Sequence, residues 1–93
     1  MSENSNNNVF QGLLEKLRNE EWPMVYLFKF IMPNEPEIIS RVSALFSGEN
    51  EMVMHPSANG NYTSVTVRET MTSPEEVITI YEKSSEIKGV ITL

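Results

Sequence analysis

The feature that most constrains the fold of this chain is the run of aromatic and branched residues from Met24 to Met32. Such residues favour β-strands, in which alternate side chains point to opposite faces. One face of the run is then wholly apolar or aromatic, and the other is apolar except for Lys29. Because both faces are mostly apolar, the run predicts a central strand whose aromatic face lies in the core.

A short amphipathic helix is predicted before this strand. From Phe10 to Leu17, apolar residues recur at the spacing of one helical stripe, and the helix must end before Pro23, since a proline disfavours the α conformation in the residue before it. Residues 1–9 form an Asn/Ser-rich tail with too little apolar surface to offset its ordering entropy. We therefore expect a disordered tail over residues 1–9 and one domain over residues 10–93.

Two further helices are predicted from their N-terminal residues. The first has Asn34 as the expected N-cap, Pro36 in the first turn and Glu37 at the capping-box position. The second has Ser73 as its N-cap and Glu76 at the capping-box position. Each is followed by an apolar stripe at helical spacing, so each has one face to bury.

The remaining segments predict three more strands. Residues 51–55 and 62–70 alternate between apolar and polar residues and flank Asn59-Gly60, a dipeptide suited to a hairpin turn, and residues 90–93 form a closing strand. The order is then a leading helix followed by βαββαβ. Right-handed crossovers give a four-stranded antiparallel sheet in the order 4-1-3-2 with two helices on one face, a ferredoxin-like α+β sandwich.

The amino-acid composition excludes several kinds of metal and catalytic site. The chain has no cysteine, no aspartate and one histidine, so it cannot build a closed zinc site, and we expect no metal and no cofactor. His55 and Ser57 share one strand parity, but no aspartate is present to orient the imidazole and no small-residue elbow presents the serine. We therefore expect a protein that is not an enzyme, and a site built across subunits is the alternative.

Nucleic acid and membrane are not expected partners. The net charge is −6, which disfavours both nucleic acid and anionic lipid. RNA-binding domains share this strand order, but here the stacking positions on the third strand hold Asn61 and Thr63, which are not aromatic. No apolar run approaches the ~20 residues of a membrane helix, and the N-terminus has no pattern of a secretory signal, so the expected compartment is the cytoplasm.

The sheet face without helices is the expected interaction surface. It would expose apolar residues of the first strand, with Val53 and Val90, between polar residues that include Ser64, Thr66 and Thr92. Either the leading helix covers this face, or the face binds another copy or another protein. The candidate surface, including the hairpin, comprises Val25, Leu27, Lys29, Ile31, Ser57, Asn59, Gly60, Tyr62 and Arg68.

The segment from Pro56 to Val67, with the pattern Pro-Ser-x-x-Gly-x-Tyr-x-Ser-Val, resembles the hairpin signature of the YbeD-like family of small bacterial proteins. The similarity extends to the Phe28-Lys29 pair, the Pro36-Glu37 helix start and the closing residues from Ile87 to Leu93. This resemblance implies a ferredoxin-like domain similar to ACT regulatory domains, which bind amino acids and dimerise beside enzymes.

Two functions follow as hypotheses. The first is a non-enzymatic cytoplasmic interaction or regulatory module with an unknown protein partner, acting through its sheet face, strand edge or hairpin. The alternative is an ACT-like sensor of an amino acid or another small metabolite. ACT ligand sites typically use a glycine after the first strand, whereas this chain has Met32-Pro33-Asn34-Glu35-Pro36 there, with the amide donors removed at both prolines. The sequence therefore favours protein interaction.

Overall fold

The computed structural model describes residues 4–93, which form three helices and one antiparallel sheet. The strand order is β2-β3-β1-β4, which is the predicted 4-1-3-2 order and confirms the ferredoxin-like α+β fold. The elements are α1 (Asn4–Leu17), β1 (Met24–Pro33), α2 (Pro36–Ser43), β2 (Glu51–Pro56), β3 (Tyr62–Met71), α3 (Pro74–Ser85) and β4 (Ile91–Thr92).

The core lies between the sheet and the helices. Strand β1 pairs with β3 along its whole length, and the aromatic face of β1 points to the helices. Phe28, Phe30 and Met32 are completely buried there, and Val65 and Val67 on β3 are at most 1% exposed. The prediction that the aromatic face of the first strand lies in the core is therefore confirmed.

The N-terminus of α3 matches its prediction in part. Ser73 is the N-cap, and its hydroxyl accepts a hydrogen bond from the Glu76 N–H at 3.2 Å. The Glu76 carboxylate does not close a capping box on Ser73. It accepts from the N–H and the hydroxyl of Thr72 at 2.7 and 3.0 Å, one residue further out. The preceding turn is thereby tied to the helix.

The predicted cap of α2 is wrong. The N-cap is Glu35, without a side-chain cap hydrogen bond, and Glu37 pairs with Arg41 in the next turn instead of closing a box. Asn34 instead reaches the β2–β3 hairpin, donating from its side-chain amide to the Gly60 carbonyl at 3.1 Å. The Asn34 side chain therefore binds a carbonyl of the hairpin and does not cap the start of α2.

Helix α1 begins at Asn4, six residues before the start of the helix predicted at Phe10. The mobility predicted for the tail stays a prediction, and residues 1–3 lie outside the described part of the chain. Leu17 is buried in the core, and α1 packs against α3, on the helix side of the sheet. The leading helix therefore does not cover the opposite sheet face.

The closing strand is shorter than predicted, and its faces are reversed. Only Ile91 and Thr92 pair with β1. Thr92 lies opposite Phe30 and so points to the helix side, and Val90 packs against the core. The prediction that Val90 and Thr92 lie on the exposed sheet face is wrong, because the register places Ile91 there instead.

Candidate interaction surface

The sheet face that points away from the helices, here called the open face, carries one set of side chains from each strand. Residues that pair across neighbouring strands lie on the same face, so the register identifies its members directly. They are Val25, Leu27, Lys29, Ile31, Pro33, Glu51, Val53, His55, Tyr62, Ser64, Thr66, Arg68, Thr70 and Ile91.

Apolar side chains are exposed along this face. Val25 is 55% exposed, Leu27 47%, Val53 42% and Ile91 58%, and Ile31 is half-buried. Val25, Leu27 and Ile31 lie on β1 and Ile91 lies on the neighbouring β4, so these four form an apolar patch rather than isolated exposed residues. Val53 on β2 is separated from β1 by Thr66 of β3. Ile91 was missed from the sequence, because its place on this face follows only from its register with Ile31.

Two basic side chains lie among the apolar ones. Arg68 pairs at 3.8 Å with Glu51, its neighbour on β2, and both side chains are largely exposed. Lys29 lies in the middle row of the face, which is the line of cross-strand neighbours Lys29, Thr66 and Val53. It forms no ion pair with any residue between 4 and 93. In a chain of net charge −6, the open face therefore combines exposed apolar side chains with one cation near its centre, Lys29, that has no ion-pair partner within residues 4–93.

The hairpin residues of the predicted surface form a compact loop at one end of the face. The Ser57 hydroxyl donates to the Asn59 side-chain oxygen at 2.8 Å and accepts from the Tyr62 N–H at 3.1 Å. The same Asn59 oxygen accepts from the Asn61 N–H, and Gly60 has a positive φ of 78°. Asn59 has no positive φ, so the loop is not the two-residue turn that the dipeptide suggests.

A small apolar cavity joins this loop to the open face. Its volume is about 280 Å³, which is enough for one aliphatic or aromatic side chain. Its walls come from β1, from both strands of the hairpin and from the loop. They are formed by Ile31, His55, Ser57, Tyr62, Thr63 and Ser64.

His55 and Ser57 line this cavity together but do not form a nucleophile–base pair. Both hydrogen bonds described for the Ser57 hydroxyl go to the loop, to Asn59 and Tyr62. Within residues 4–93, no three His or Glu side chains come close enough to hold a metal ion.

The predicted surface residues therefore divide into three groups. Six lie on the open face itself: Val25, Leu27, Lys29, Ile31, Tyr62 and Arg68. Ser57 lines the cavity at the end of that face, together with Tyr62. The other two, Asn59 and Gly60, lie at the loop tip, where their polar groups are used by the loop and by Asn34.

A second cavity lies on the helix side, beside the β1–α2 turn. Its volume is about 420 Å³, and it carries the cations of Arg41 and Lys88 and the carboxylates of Glu35 and Glu37. Arg41 already pairs with Glu37 at 3.4 Å. The remaining wall is formed by Pro33, Ile38, Ile87 and Gly89.

Two tyrosines, one on β1 and one on α3, form a pair on the helix side of the sheet. The hydroxyls of Tyr26 and Tyr81 are 3.1 Å apart, and Phe10 stacks on the Tyr81 ring. Burial, together with the hydrogen bond to Tyr26, raises the pKa of Tyr81 far above its usual value. Tyr81 therefore acts as a packing and hydrogen-bonding residue.

The fold and this surface define an open-faced, ferredoxin-like α+β domain. None of the helices within residues 4–93 combines the length and the apolar character needed to cross a bilayer. Residues 18–93 match the family of proteins of unknown function DUF493, and the chain belongs to that family. The resemblance to YbeD-like proteins seen in the hairpin is thereby confirmed.

Several relatives share most of this chain. A UPF0250 protein of Vibrio vulnificus is 34% identical over 71 residues, which cover 72% of this chain and 77% of that protein. One of Shewanella oneidensis is 31% identical over 74 residues, covering 75% and 84%. One of Pectobacterium atrosepticum is 32% identical over 71 residues, covering 72% and 82%.

Proposed function

We propose that this protein is a non-enzymatic, cytoplasmic interaction module that docks its open face on another protein. The observation that carries the proposal is the apolar patch of Val25, Leu27, Ile31 and Ile91, which α1 leaves uncovered by packing on the other side of the sheet. Val53 adds a further exposed apolar side chain across β3. Contiguous apolar surface of this kind on a small domain marks interaction sites more often than isolated exposed residues do.

The positive charge of Lys29 on the open face indicates that the partner carries a negative charge opposite it. Lys29 lies in the middle row between apolar neighbours and has no carboxylate partner among the described residues. Docking removes water from this ammonium group, which is costly unless an opposite charge meets it. The partner we propose therefore presents an apolar surface with a carboxylate opposite Lys29.

A second copy of the chain fits the open face less well. Symmetric face-to-face packing about the middle row would bring two Lys29 side chains together without a carboxylate between them. It would also join two chains that each carry a net charge of −6. Homo-oligomerisation, the other occupant predicted from the sequence, is therefore an outcome that the experiment must distinguish.

The test compares charge variants of the open face with a matched variant of the helix layer. Leu27→Glu and Val53→Glu, called the patch variants, each place a carboxylate on the open face, and Ser40→Glu adds the same charge at an exposed position of α2. Proteins captured from cell extract by the wild type and by Ser40→Glu should be lost from both patch variants. Circular dichroism checks that all three remain folded.

Two outcomes contradict the proposal. One is capture of the same proteins, in the same amounts, by Val53→Glu, Leu27→Glu and the wild type. The other is a dimer of the wild type at micromolar concentration in sedimentation that both patch variants convert to a monomer, because the occupant is then a second copy.

A second candidate is the ACT-like sensor, which the cavity beside the β1–α2 turn supports. Its volume of about 420 Å³ suits a small metabolite, and Arg41 and Lys88 offer cations to a carboxylate. Glu35 and Glu37 in the same wall, and the missing amide of Pro33, weaken recognition of an amino-acid carboxylate. We therefore place this candidate second.

A thermal-shift panel of the proteinogenic amino acids at millimolar concentration tests this second candidate. A ligand at about 100 times its Kd adds about 2.7 kcal/mol to the free energy of unfolding, which raises Tm visibly. Arg41→Ala should abolish the shift if the turn cavity is the site. An unchanged Tm with every amino acid removes amino-acid sensing from consideration.

A further inference from the structure

Strand β1 is incompletely paired on its β4 side. It spans ten residues and pairs with β3 along all of them. On the other side, β4 pairs only with Phe30 and Ile31, and the last contact is the Leu93 N–H donating to the Lys29 carbonyl at 2.9 Å. Residues 24–28 therefore border a gap in the sheet, in line with β4.

The backbone groups that face this gap can be identified from the ladder. In an antiparallel strand, the N–H and C=O of one residue point to the same side, and those of the next residue to the other. The Lys29 carbonyl points to β4, so the N–H and C=O of Leu27 and Val25 point into the gap. No described backbone or side-chain group bonds to them. They form two donors and two acceptors in strand geometry.

An apolar cavity borders the same gap on its helix side. Its volume is about 420 Å³. Phe10 and Leu13 of α1 form one wall, and the tyrosines of β1 and α3 form another. The complete lining is Phe10, Leu13, Tyr26, Tyr81, Thr92 and Leu93.

We propose that the gap binds an extended segment of another protein, which adds to the sheet as a fifth strand beside residues 24–28. Unpaired donors and acceptors at strand spacing select an extended backbone rather than a helix or a small molecule. The inference rests on the proposed function as an interaction module and names the form of its partner. It also extends the pairing that β4 already begins.

The two faces of the gap determine the side chains of that segment. Residues opposite Tyr26 and Phe28 point to the helix side, where the cavity takes an aliphatic or aromatic side chain. Residues opposite Leu27 and Val25 point to the open face and pack beside these two exposed side chains. The ligand is thus about five residues long, apolar on both faces, and without proline where β1 needs a donor.

A second copy supplies this segment poorly. Symmetric antiparallel pairing of residues 24–28 with themselves would place Tyr26 opposite the same residue of the other copy. Tyr26 would then have to fill the partner's cavity, but it already packs on Phe28 at 4.7 Å between ring centroids and bonds to Tyr81. A flexible segment of a different chain has no such constraint.

The test uses a displayed library of random heptapeptides, selected on the immobilised full chain. The selected peptides should carry apolar residues at alternate positions. Adding one of them should slow amide hydrogen exchange at Val25 and Leu27, whose N–H groups face the gap. The amides of Tyr26 and Phe28, which point to β3, should change little.

Leu27→Pro blocks the gap without removing a bond to β3, because the Leu27 N–H points away from that strand. It should weaken peptide binding about tenfold, since it removes a donor and places a ring in the gap. Leu13→Glu should weaken binding from the cavity side. Val53→Glu lies across the sheet and should leave peptide binding unchanged, so failure of open-face docking is distinguishable from failure of this inference.

If Leu27→Pro does not fold, methylated peptides test the same point on the wild-type protein. Methylation of a peptide amide that faces β1 should abolish binding, and methylation of the next amide should not. The inference is overturned if no peptide is enriched over background, if both methylated forms bind equally, or if the Val25 and Leu27 amides show unchanged exchange. A wild-type dimer that Leu27→Pro dissociates would also overturn it, in favour of a second copy.

Discussion

The Phe10 ring stacks on the Tyr81 ring, with centroids 6.0 Å apart and planes inclined by 13°. This contact joins α1 to α3 and so fixes the leading helix on the helix side of the sheet. The open face stays uncovered as a consequence, which is the basis of the proposed docking function. The packing of α1 can be tested separately from docking.

Leu17→Ala should lower the free energy of unfolding by about 2–5 kcal/mol, because Leu17 is only 6% exposed and its loss leaves a cavity. Leu14→Ala is the matched control: Leu14 lies on the same helix but is half-buried and outside the core. Urea unfolding of both variants measures the difference. Equal destabilisation would show that α1 does not pack through Leu17 as described.

Asn34→Ala should destabilise the fold by about 0.5–1.5 kcal/mol, since the side-chain amide donates to the Gly60 carbonyl and ties the β1–α2 turn to the hairpin. Asn61→Ala removes an exposed amide in the same loop that makes no described side-chain hydrogen bond. The urea midpoint of Asn34→Ala should therefore be lower than that of Asn61→Ala. Identical midpoints would remove the structural role of Asn34.

Ser73→Ala should cost about 1 kcal/mol, because the Ser73 hydroxyl accepts from the Glu76 N–H at the start of α3. Ser40→Ala changes an exposed serine inside α2 and should be neutral or slightly stabilising, since alanine is the better helix former. Thermal unfolding of the pair gives the comparison. A neutral Ser73→Ala variant would contradict the cap.

The stability of the protein should fall at alkaline pH because of Tyr81. Its pKa is raised by burial above the ordinary value of 10.0, so the unfolded chain loses this proton at lower pH than the folded one. The stabilisation is therefore complete below that value and is lost as the pH rises above it. Tyr81→Phe should flatten this decline in free energy of unfolding, measured by urea titration between about pH 9 and 11.

The exposed Tyr62 provides the control for this pH dependence. Tyr62→Phe should keep the wild-type decline, since this side chain does not enter the core. A decline of the same slope in Tyr81→Phe and the wild type would mean that burial of Tyr81 is not its cause.

The central strand was predictable because its signal is repeated. Nine residues from Met24 to Met32 agree on strand structure, and Lys29 alone distinguishes the wetter face. The closing strand offers no such redundancy. Val90 and Ile91 are both apolar, so periodicity cannot decide between them, and the choice is made by the register of Ile91 on Ile31.

Partners distant in sequence explain the other differences. Asn34 fits a local N-cap, but the Gly60 carbonyl, 26 residues away, takes its amide in the folded chain. The stripe of α1 predicts that the helix packs, yet it contains no information on which surface receives it. The gap beside Val25 and Leu27 depends on where β4 ends, which a short apolar run does not specify.

Docking through the open face is tested most directly by site-specific photo-cross-linking in living cells. A photoreactive residue replaces Val53 on the open face in one variant and Ser40 in the helix layer in the other, and adducts are identified by mass spectrometry. The account predicts that position 53 yields a covalent adduct with a different protein and that position 40 does not. Equal adducts at both positions, or an adduct at position 53 only with another copy of the chain, would contradict it.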